Sequence, residues 1–513
     1  MIENTKYLLE TFDYIAENTK QQKFKIKMGQ AKNHHLNNKE ISLSKSEDKY
    51  LFDITIPIEG KNPDMEFDRN RETQVELTNE ERTIFLKGKN ILPSNISYSD
   101  FSSEIVEKYI TGQITSLSTK KMNFYKREKF YRMIIPLNRD VRLYGDFTGF
   151  HHSVDGKPKM ETLVQLFINN IEYHFFTYVD NDKNCFFIID SLDKILLDVF
   201  KATANSILLA YAFLKGDYHG REAIILSYVS KSFRKPSGML SIILGGGIYN
   251  GFAVHSTKPY SLVSLNKKRR YKKDASGNII GFNDSNLKKY MKEFPSECLS
   301  KLCELICNKG GILRAIILFV NNHSAALELK MPTLFVALEN VTKVLTGGDT
   351  KTPMLIEDDQ IIQEIKPVIK KAVKEITEIE RKYRSPSLSD DELKEHKATY
   401  ARIGGKLHDF NKGTNNKKLV EPFINFNYEL SPEEKELIMT FRNKFLHGED
   451  FLSLDIDYEL EFKELFHMSM RLQKLIAVLL LKASDYSGYI LNNAKIYDYI
   501  SERNLKEKAF VKI

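Results

Sequence analysis

The residues with the clearest chemical content lie close together near the C-terminus, in the segment R-N-K-F-L-H-G from Arg442 to Gly448. The apolar pattern around this segment predicts a helix, and there Asn443 and His447, four residues apart, share a face. Arg442 lies about 100° round the helix from Asn443, and its long side chain reaches the same face. The spacing therefore predicts that a guanidinium, an amide and an imidazole converge.

These three groups are the ones that metal-free cleavage of RNA by its own 2′-hydroxyl requires. An imidazole transfers protons near neutral pH, which accelerates such reactions roughly 10²–10⁴-fold. A guanidinium binds phosphate oxygens in a bidentate manner and keeps its charge at all relevant pH values. One helix supplies one imidazole, whereas a symmetric dimer that packs this helix against its mate supplies two.

Two plainer interpretations stay open for the same residues. Arg442 is also suited to a surface ion pair. His447 is also suited to a helix C-terminus, where a cation interacts favourably with the helix dipole.

The sequence on both sides of the segment predicts the helix that carries it. Ser431, Pro432 and Glu434 are the residues expected at the N-cap, N1 and N3 positions of a helix start. Apolar residues recur every four positions after this start, at Leu437, Phe441 and Phe445. Gly448 suits the end of the helix. We therefore expect one helix, with its apolar stripe in a core and the polar residues beside that stripe.

The rest of the chain divides into two regions of different texture, which predicts an α+β fold. Residues 1–290 contain short β-branched and aromatic runs between turn residues, and we expect a β-rich region here, with a second boundary near residue 140. A helix over Leu192–Gly216, with Gly216 at its C-cap, interrupts the strands. The runs expected to form strands are KFKIKM, YLFDITIPI, TIFLKG, RMIIPL, TLVQLFI, CFFIID and AIILSYV.

Residues 291–513 predict an all-α bundle. Residues 411–428 are expected to form a long polar loop within it. The segments expected to be helical, the first of which begins just before residue 291, are NLKKYMKEF, ECLSKLCELICN, ILRAIILFVNNHSAAL, TLFVALENVTKVL, QIIQEIKPVIKKAVKEITEIERKY, LKEHKATYARIGGKL, PEEKELIMTFRNKFLHG and LEFKELFHMSMRLQKLIAVLLLKA.

Composition indicates an ordinary cytoplasmic protein without a metal or cofactor. The 513 residues are 42% hydrophobic and 28% charged, and the formal charge of +8 permits a polyanionic partner without requiring one. Four cysteines, without metal-ligand spacing, are typical of thiols in a reducing compartment. The N-terminus has no signal-peptide pattern, and the longest apolar runs are too short to span a membrane.

The motif R-N-x-x-x-H formed by Arg442, Asn443 and His447 resembles the signature of HEPN ribonucleases. The helix TLFVALENVTKVL, with Glu339 in an A-L-E context, is similar to the first core helix of ApeA-like HEPN proteins, which act in anti-phage defence. The resemblance is specific over residues 310–483 and loose over the first 290 residues. Unlike the family pattern, a long loop rich in Asn and Lys precedes the motif helix.

The resemblance implies a metal-independent endoribonuclease that dimerises through its helical domain and leaves a 2′,3′-cyclic phosphate. By match of motif, Arg442, Asn443 and His447 are its catalytic residues. Glu339 supports them, either as the residue that orients Arg442 across the bundle or as an ordinary partner of Lys343. The resemblance also implies growth arrest during infection after a phage-derived trigger, with RNA, and tRNA in particular, as the substrate.

A second basic feature lies in the segment KKRRYKK, which ends the β-rich region. It either binds an RNA backbone or forms a solvated loop between strands, before a turn at DASGN. The residues that would contact RNA are Lys267, Lys268, Arg269, Arg270, Lys272 and Lys273.

Two other functions stay open. In the first, the bundle is a non-catalytic module that dimerises and holds nucleic acid or a phage protein. In the second, the β-rich region hides a metal-dependent nuclease, although it contains no convincing cluster of Asp, Glu and Lys.

Overall fold

A computed structural model of the chain describes residues 8–28, 36–46, 49–58, 74–99, 106–154, 157–257, 271–282, 289–347, 356, 358–385, 389–411, 415–442, 445 and 458–513. The strands are β1 Gln22–Met28, β2 Glu40–Ser46, β3 Lys49–Ile58, β4 Gln74–Thr78, β5 Thr83–Lys87, β6 Ile91–Tyr98, β7 Val106–Ile114, β8 Leu117–Ser118, β9 Phe130–Leu137, β10 Phe150–Val154, β11 Lys157–Ile168, β12 Ile171–Val179, β13 Cys185–Ser191, β14 Asp217–Tyr228, β15 Pro236–Asn250, β16 Tyr271–Lys273, β17 Ile279–Phe282, β18 Tyr489–Leu491 and β19 Phe510–Lys512.

The helices are α1 Leu8–Thr19, α2 Leu197–Lys215, α3 Ser296–Asn308, α4 Gly310–Asn321, α5 Leu327–Leu345, α6 Asp359–Tyr383, α7 Asp390–His408, α8 Asn415–Asn425, α9 Pro432–Glu436, α10 Tyr458–Ala483, α11 Asn493–Ile496 and α12 Asp498–Ser501. This order places most strands in the first half and most helices in the second, which confirms the expected α+β fold. All seven runs expected to be strands lie in strands of the structure, apart from the last residues of two of them, Gly88 and Val229.

The strands of the first half form one sheet that is antiparallel throughout. In the described residues it has fifteen strands in the order β10-β11-β12-β13-β9-β14-β15-β8-β5-β4-β1-β2-β3-β7-β6. The two-residue strand β8 joins the central strands to the N-terminal ones, pairing Leu240 with Ser118 on one side and Phe85 with Ser118 on the other. The sheet is therefore continuous but narrow at this junction.

The central strands are buried on both faces, which explains their nearly unbroken apolar sequences. Met133 and Ile135 of β9 lie in one apolar core together with the helices, while Ile134 between them lies in a second core together with the N-terminal strands. This alternation is the two-residue period of a strand. The N-terminal strands thus cover the face of the central sheet that the helices leave open.

A buried ion pair fixes α1 on the central sheet. The guanidinium of Arg132 donates from Nε to Asp190 Oδ1 at 2.7 Å and from Nη2 to Asp190 Oδ2 at 2.8 Å, and both side chains are fully buried. Arg132 also donates to Thr11 of α1, which hydrogen bonds to the hydroxyl of Tyr228. Because the pair is bidentate and surrounded by further partners, the charges are compensated inside the core.

Helix α2 joins the sheet to the helical region. Of its nineteen residues, thirteen are buried, and it ends at Gly216, whose φ of 78° is left-handed, as the sequence predicts. The helix begins at Leu197 rather than Leu192. The ring of Phe213 on α2 contacts that of Phe319 on α4, with centroids 5.1 Å apart. The core of the helical region is therefore continuous with one core of the sheet, and the division at residue 290 stays a prediction.

Helix α2 is also, among the described residues, the one helix with the length and hydropathy of a membrane span. However, 72% of that apolar window is buried inside the protein. This burial between a sheet and other helices is typical of a core helix in a soluble protein.

Three expectations for the helical region are wrong. The region is mostly helical but not all-α, because β18 and β19 form an antiparallel pair within it. The predicted loop over residues 411–428 contains helix α8, whose Leu419 and Phe423 are buried in the core. The predicted helix NLKKYMKEF is not helical over its described residues 289–294. There Phe294 is buried and forms a bridge with Phe147 of the sheet region. In both segments tertiary packing overrides local polarity and spacing.

Two histidines, one buried and one half-buried, lie where the sheet and the helical region meet. The ring of His255 packs on Phe294 and Tyr486. The ring of His323 packs so closely over Gly251 that a Cβ there would come within 2.0 Å of it. Burial lowers the pKa of both imidazoles to about 4. Both rings are therefore neutral in the folded protein at neutral pH.

We expect these histidines to make the protein less stable in mild acid. Because their pKa is lowered by folding, their contribution is fully present above about pH 6.5, the ordinary histidine pKa, and is lost as the pH falls towards 4. The melting temperature should therefore fall between pH 7 and pH 5, and His323→Gln should reduce this fall. The exposed His408→Gln is the matched control, and an equal fall in all three proteins would contradict the prediction.

Candidate functional site

The candidate site lies where α5 meets the segment that follows α9. Helix α5 buries Leu334, Phe335 and Leu338 against α4 and α10. Glu339, the next residue after Leu338, therefore lies at the edge of this packed face, with 34% of its side chain exposed. At this position its carboxylate reaches towards the segment that follows α9.

Arg442 contacts Glu339 across the bundle, and this is the contact that the sequence proposed as one of two alternatives. Its Nε donates to Glu339 Oε1 at 2.5 Å, and its Nη2 forms an ion pair with the same oxygen. The side chain of Arg442 is only 13% exposed. The carboxylate thus fixes the orientation of a guanidinium that is largely shielded from solvent, which strengthens the contact relative to a surface pair.

The helix that carries Arg442 begins as the sequence predicts. The side chain of Ser431 accepts a hydrogen bond from the backbone N–H of Glu434, whose carboxylate accepts one from the backbone N–H of Ser431. Pro432 occupies the first turn. This capping box satisfies donors that a helix start leaves without partners.

After one turn the helix widens into a π-helical turn over Leu437–Phe441. Leu437 and Ile438 are buried, and Phe441 and Phe445 pack against the core. The ring of Phe445 stacks on Phe335 of α5, with centroids 6.0 Å apart. The predicted apolar stripe is thus confirmed, whereas the regular α-helical spacing between its first two residues is not. Such turns occur often at functional sites.

A charged network below the cap anchors the same segment, and sequence reasoning missed it. Arg471 of α10, only 1% exposed, donates from Nη2 to Glu433 at 2.9 Å and from Nη1 to Glu507 at 2.6 Å. His467 Nε2 lies 2.7 Å from Glu433 Oε1, and Lys474 forms an ion pair with Glu434. The network links α9, α10 and the C-terminal segment.

The signal for this network is present in the sequence. His467, Arg471 and Lys474 recur at spacings of four and three along α10, so they form one polar line among the buried, mostly apolar residues of this helix. The hydrogen bond from His467, assisted by the charges of Arg471 and Arg503, lowers the pKa of Glu433 to about 2. Glu433 is therefore ionised throughout the physiological range.

An open cavity of about 490 Å³ borders this network. Its lining comes from Tyr428–Pro432, from Arg471 and Lys474 of α10 and from the C-terminal residues 507–512. Arg442 does not line it. Every cation named in the network already has a carboxylate partner. We therefore assign these charges beside the cavity to anchoring the segment.

Several predicted site residues lie outside the part of the chain that the structure describes. These are Asn443 and His447 of the motif and Lys267, Lys268, Arg269 and Arg270 of the basic run, and the expected helix end at Gly448 also lies outside it. Lys272 and Lys273 belong to β16, which pairs with β17 across a turn at Asp274 and Gly277. The turn at DASGN is thus confirmed, and RNA contact by the basic run stays a prediction.

Metal-ligating side chains do not cluster within the described ranges, where no group of three or more His, Cys, Asp or Glu residues could hold an ion. Cys185 and Cys303 are buried, Cys298 and Cys307 are half-buried, and all four are free thiols.

No family model, curated protein or solved structure matches the chain.

We expect Glu339→Gln to destabilise the protein by about 1–2 kcal/mol, because a hydrogen-bonded ion pair with a shielded guanidinium is lost. Glu328→Gln on the same helix, at an exposed position, is the control and should change stability by less than about 0.5 kcal/mol. Urea unfolding of both variants measures the difference. Equal stability of both variants would show that the contact contributes nothing.

We also expect Arg471→Met to lower the free energy of unfolding by roughly 3–5 kcal/mol, because it leaves partly buried carboxylates without their cation. Arg503→Met removes a guanidinium that binds Glu433 and Glu464 but is 33% exposed. Its loss should lower the free energy of unfolding by about 1 kcal/mol or less. Chemical denaturation tests the order, and a larger effect of Arg503→Met would contradict it.

Proposed function

We propose that this protein is a metal-independent endoribonuclease of the HEPN type. The observation that carries the proposal is the contact between Glu339 and Arg442. It fixes the first residue of the R-N-x-x-x-H motif at a defined place beside the bundle, between two helices that are far apart in the sequence. A side chain held in one orientation is the condition for stabilising charge during a reaction.

In this proposal each residue of the motif has one role. Arg442 binds the scissile phosphate and stabilises the negative charge that develops on it. His447 takes the proton from the 2′-hydroxyl or gives one to the leaving 5′-oxygen. Asn443 positions the phosphate. Because one copy supplies a single motif imidazole, two copies together supply both the base and the acid, which makes the proposed enzyme a homodimer or a higher oligomer.

The biological role follows from the resemblance alone. The protein would act in the cytoplasm as an anti-phage effector, cleaving cellular RNA and arresting growth. A tRNA anticodon loop is the favoured substrate, because proteins read unstacked single-stranded bases most readily. The sheet region would receive a phage-derived trigger and restrain the nuclease until then.

One observation favours a second candidate, a non-catalytic module that binds nucleic acid or a phage protein. Two nitrogens of Arg442 contact the same carboxylate oxygen, and the side chain is largely shielded. A guanidinium bound in this way links two helices. This structural role does not depend on binding phosphate. The two candidates differ in whether RNA is cut.

The test is cleavage of total tRNA by the purified full-length protein in the presence of EDTA. We expect cleavage that leaves 2′,3′-cyclic phosphate ends, and a loss of at least about 10²-fold in His447→Ala and in Arg442→Ala. His408→Ala, at an exposed position on α7, is the control and should keep full activity. Thermal unfolding of each variant separates loss of activity from loss of fold.

Three results would count against the nuclease. RNA that is retained but not cut, equally by the wild type and both motif variants, would favour the binding module. Cleavage that requires magnesium would indicate a metal-dependent reaction. Full activity of a folded His447→Ala variant would exclude the proposed proton transfer.

A further inference from the structure

Helices α6 and α7 form an arm that is inserted between the two halves of the candidate site. The arm follows α5, which carries Glu339, and precedes α8 and α9, which lead to Arg442. Its helices are antiparallel, since His396 Nδ1 lies 3.1 Å from Glu380 Oε1 near the tip and Gly404 faces Val373 nearer the base. The arm is thus a helical hairpin.

The arm buries very little of itself. Of the side chains described in α6, only Ile362 and Glu380 are buried, and in α7 the buried residue among those described is Gly404. Large apolar side chains of α6 are exposed instead, by 47% at Ile361, 66% at Val368, 55% at Ile379 and 75% at Tyr383.

These exposed side chains belong to an apolar stripe along α6. The stripe is too wide for α7 to cover completely. Apolar residues of α6 recur at alternating spacings of three and four, the pattern of a helix that packs against other helices, at Ile362, Ile365, Ile369, Ala372, Ile376, Ile379 and Tyr383. On a helix with about 100° per residue, Val368 and Ile379 lie only about 20° apart. Val373, which faces Gly404 of α7, lies about 140° from Val368. One edge of the stripe therefore packs on α7 and the other faces solvent.

The exposed edge has the length that a protein contact needs. From Ile361 to Tyr383 it extends about 33 Å along the helix, at about 1.5 Å per residue. An exposed apolar edge of this length marks a binding surface more often than an accident of composition. A second hairpin of the same kind would complete a four-helix bundle, the arrangement in which such stripes are normally buried.

The charges beside the exposed edge indicate which partner it binds. On the flank next to Val368 the sequence places Glu364, Lys371, Glu375 and Lys382. If two copies of α6 pair antiparallel with Val368 opposite the partner's Ile379, then Glu364 lies opposite the partner's Tyr383, one residue from the partner's Lys382. In the same register Lys371 lies opposite the partner's Ile376, one residue from the partner's Glu375. In an antiparallel pair the same flanks meet, so opposite charges face each other and the surface is complementary to itself.

We propose that the outer edge of the arm binds the same edge of a second copy of this chain, antiparallel, with Val368 against the partner's Ile379. The contact is isologous, as in most two-fold dimers. It deepens the proposed function by naming a surface for the expected dimer, and its relevance to catalysis rests on that function. The association itself does not depend on RNA.

The charge balance of the arm argues against a nucleic acid in this place. Over residues 359–408 the sequence has eleven Lys and Arg against nine Asp and Glu. A surface that binds a phosphate backbone has a clear excess of positive charge. Acidic residues on the exposed flank would also repel phosphates.

The first test measures the mass of the full chain by sedimentation and by light scattering over a range of concentrations. The wild type should have twice the monomer mass of 59.5 kDa. Val368→Glu with Ile379→Glu should weaken the association at least tenfold, because the two introduced carboxylates would face each other in the interface. The matched control is Val229→Glu with Ile424→Glu, at positions 70% and 67% exposed outside the arm, and it should remain dimeric.

The second test fixes the orientation. Val368→Cys with Ile379→Cys should form two disulfides between copies under mild oxidation. These two positions of one helix are about 16 Å apart, too far for a disulfide within the copy. Val368→Cys alone and the wild type, with its four free cysteines, should remain uncrosslinked. Crosslinking of the single variant would indicate parallel pairing.

The proposal is overturned by a monomeric wild type, by a charge variant that stays dimeric, by crosslinking of the single variant, or by RNA that must be present for dimers to form. Thermal unfolding of the charge variant checks that the arm still folds. Dimers that form as expected but do not cut RNA would leave this inference standing and count against the nuclease.

Discussion

The contact between Glu339 and Arg442 joins two helices that the chain separates by about one hundred residues. Each side chain carries a charge that is only partly exposed, and each charge is compensated by the other. The packing of α5 on α4 and α10 sets the position of the carboxylate. The cap at Ser431 and the stack of Phe445 on Phe335 set the position of the guanidinium. The site therefore depends on contacts made at both ends of the segment from α9 to Phe445.

The charged network at Arg471 also fixes the position of this segment, from the opposite side. It holds Glu433, one turn before the π-helical residues, and it ties the C-terminal segment to α10 through Glu507. Apolar packing alone would leave the segment free to rotate about its own axis, whereas directional hydrogen bonds to a buried guanidinium do not. The segment is therefore fixed at two points. One is the buried guanidinium of Arg471 below the cap, and the other is the shielded guanidinium of Arg442.

Much of this arrangement could be predicted from the sequence, and the limits have physical reasons. The cap at Ser431, the end of α2 at Gly216 and the strands of the sheet follow from local rules of turns, caps and periodicity. The sequence predicts two alternative partners for Glu339, namely Arg442 and Lys343, because a carboxylate on an apolar helix face needs a cation. Helix α8 was missed because the polar run Asn415–Lys418 and the proline at position 422 are typical of a loop, although Leu419 and Phe423 lie four residues apart, as on one face of a helix. The π-helical turn was missed because no spacing in the sequence distinguishes it from an α-helix.

The base of the arm has a consequence of its own. The side-chain amide of Asn411 accepts a hydrogen bond from the backbone N–H of Ile356 at 2.7 Å and donates one to its carbonyl oxygen at 3.0 Å. One side-chain amide thus joins the point where the chain leaves the bundle to the point where it returns. A hairpin closed in this way can gain or lose whole helical turns without a change in the bundle at its base. The length of the hairpin can therefore change while the distance between Glu339 and Arg442 stays the same.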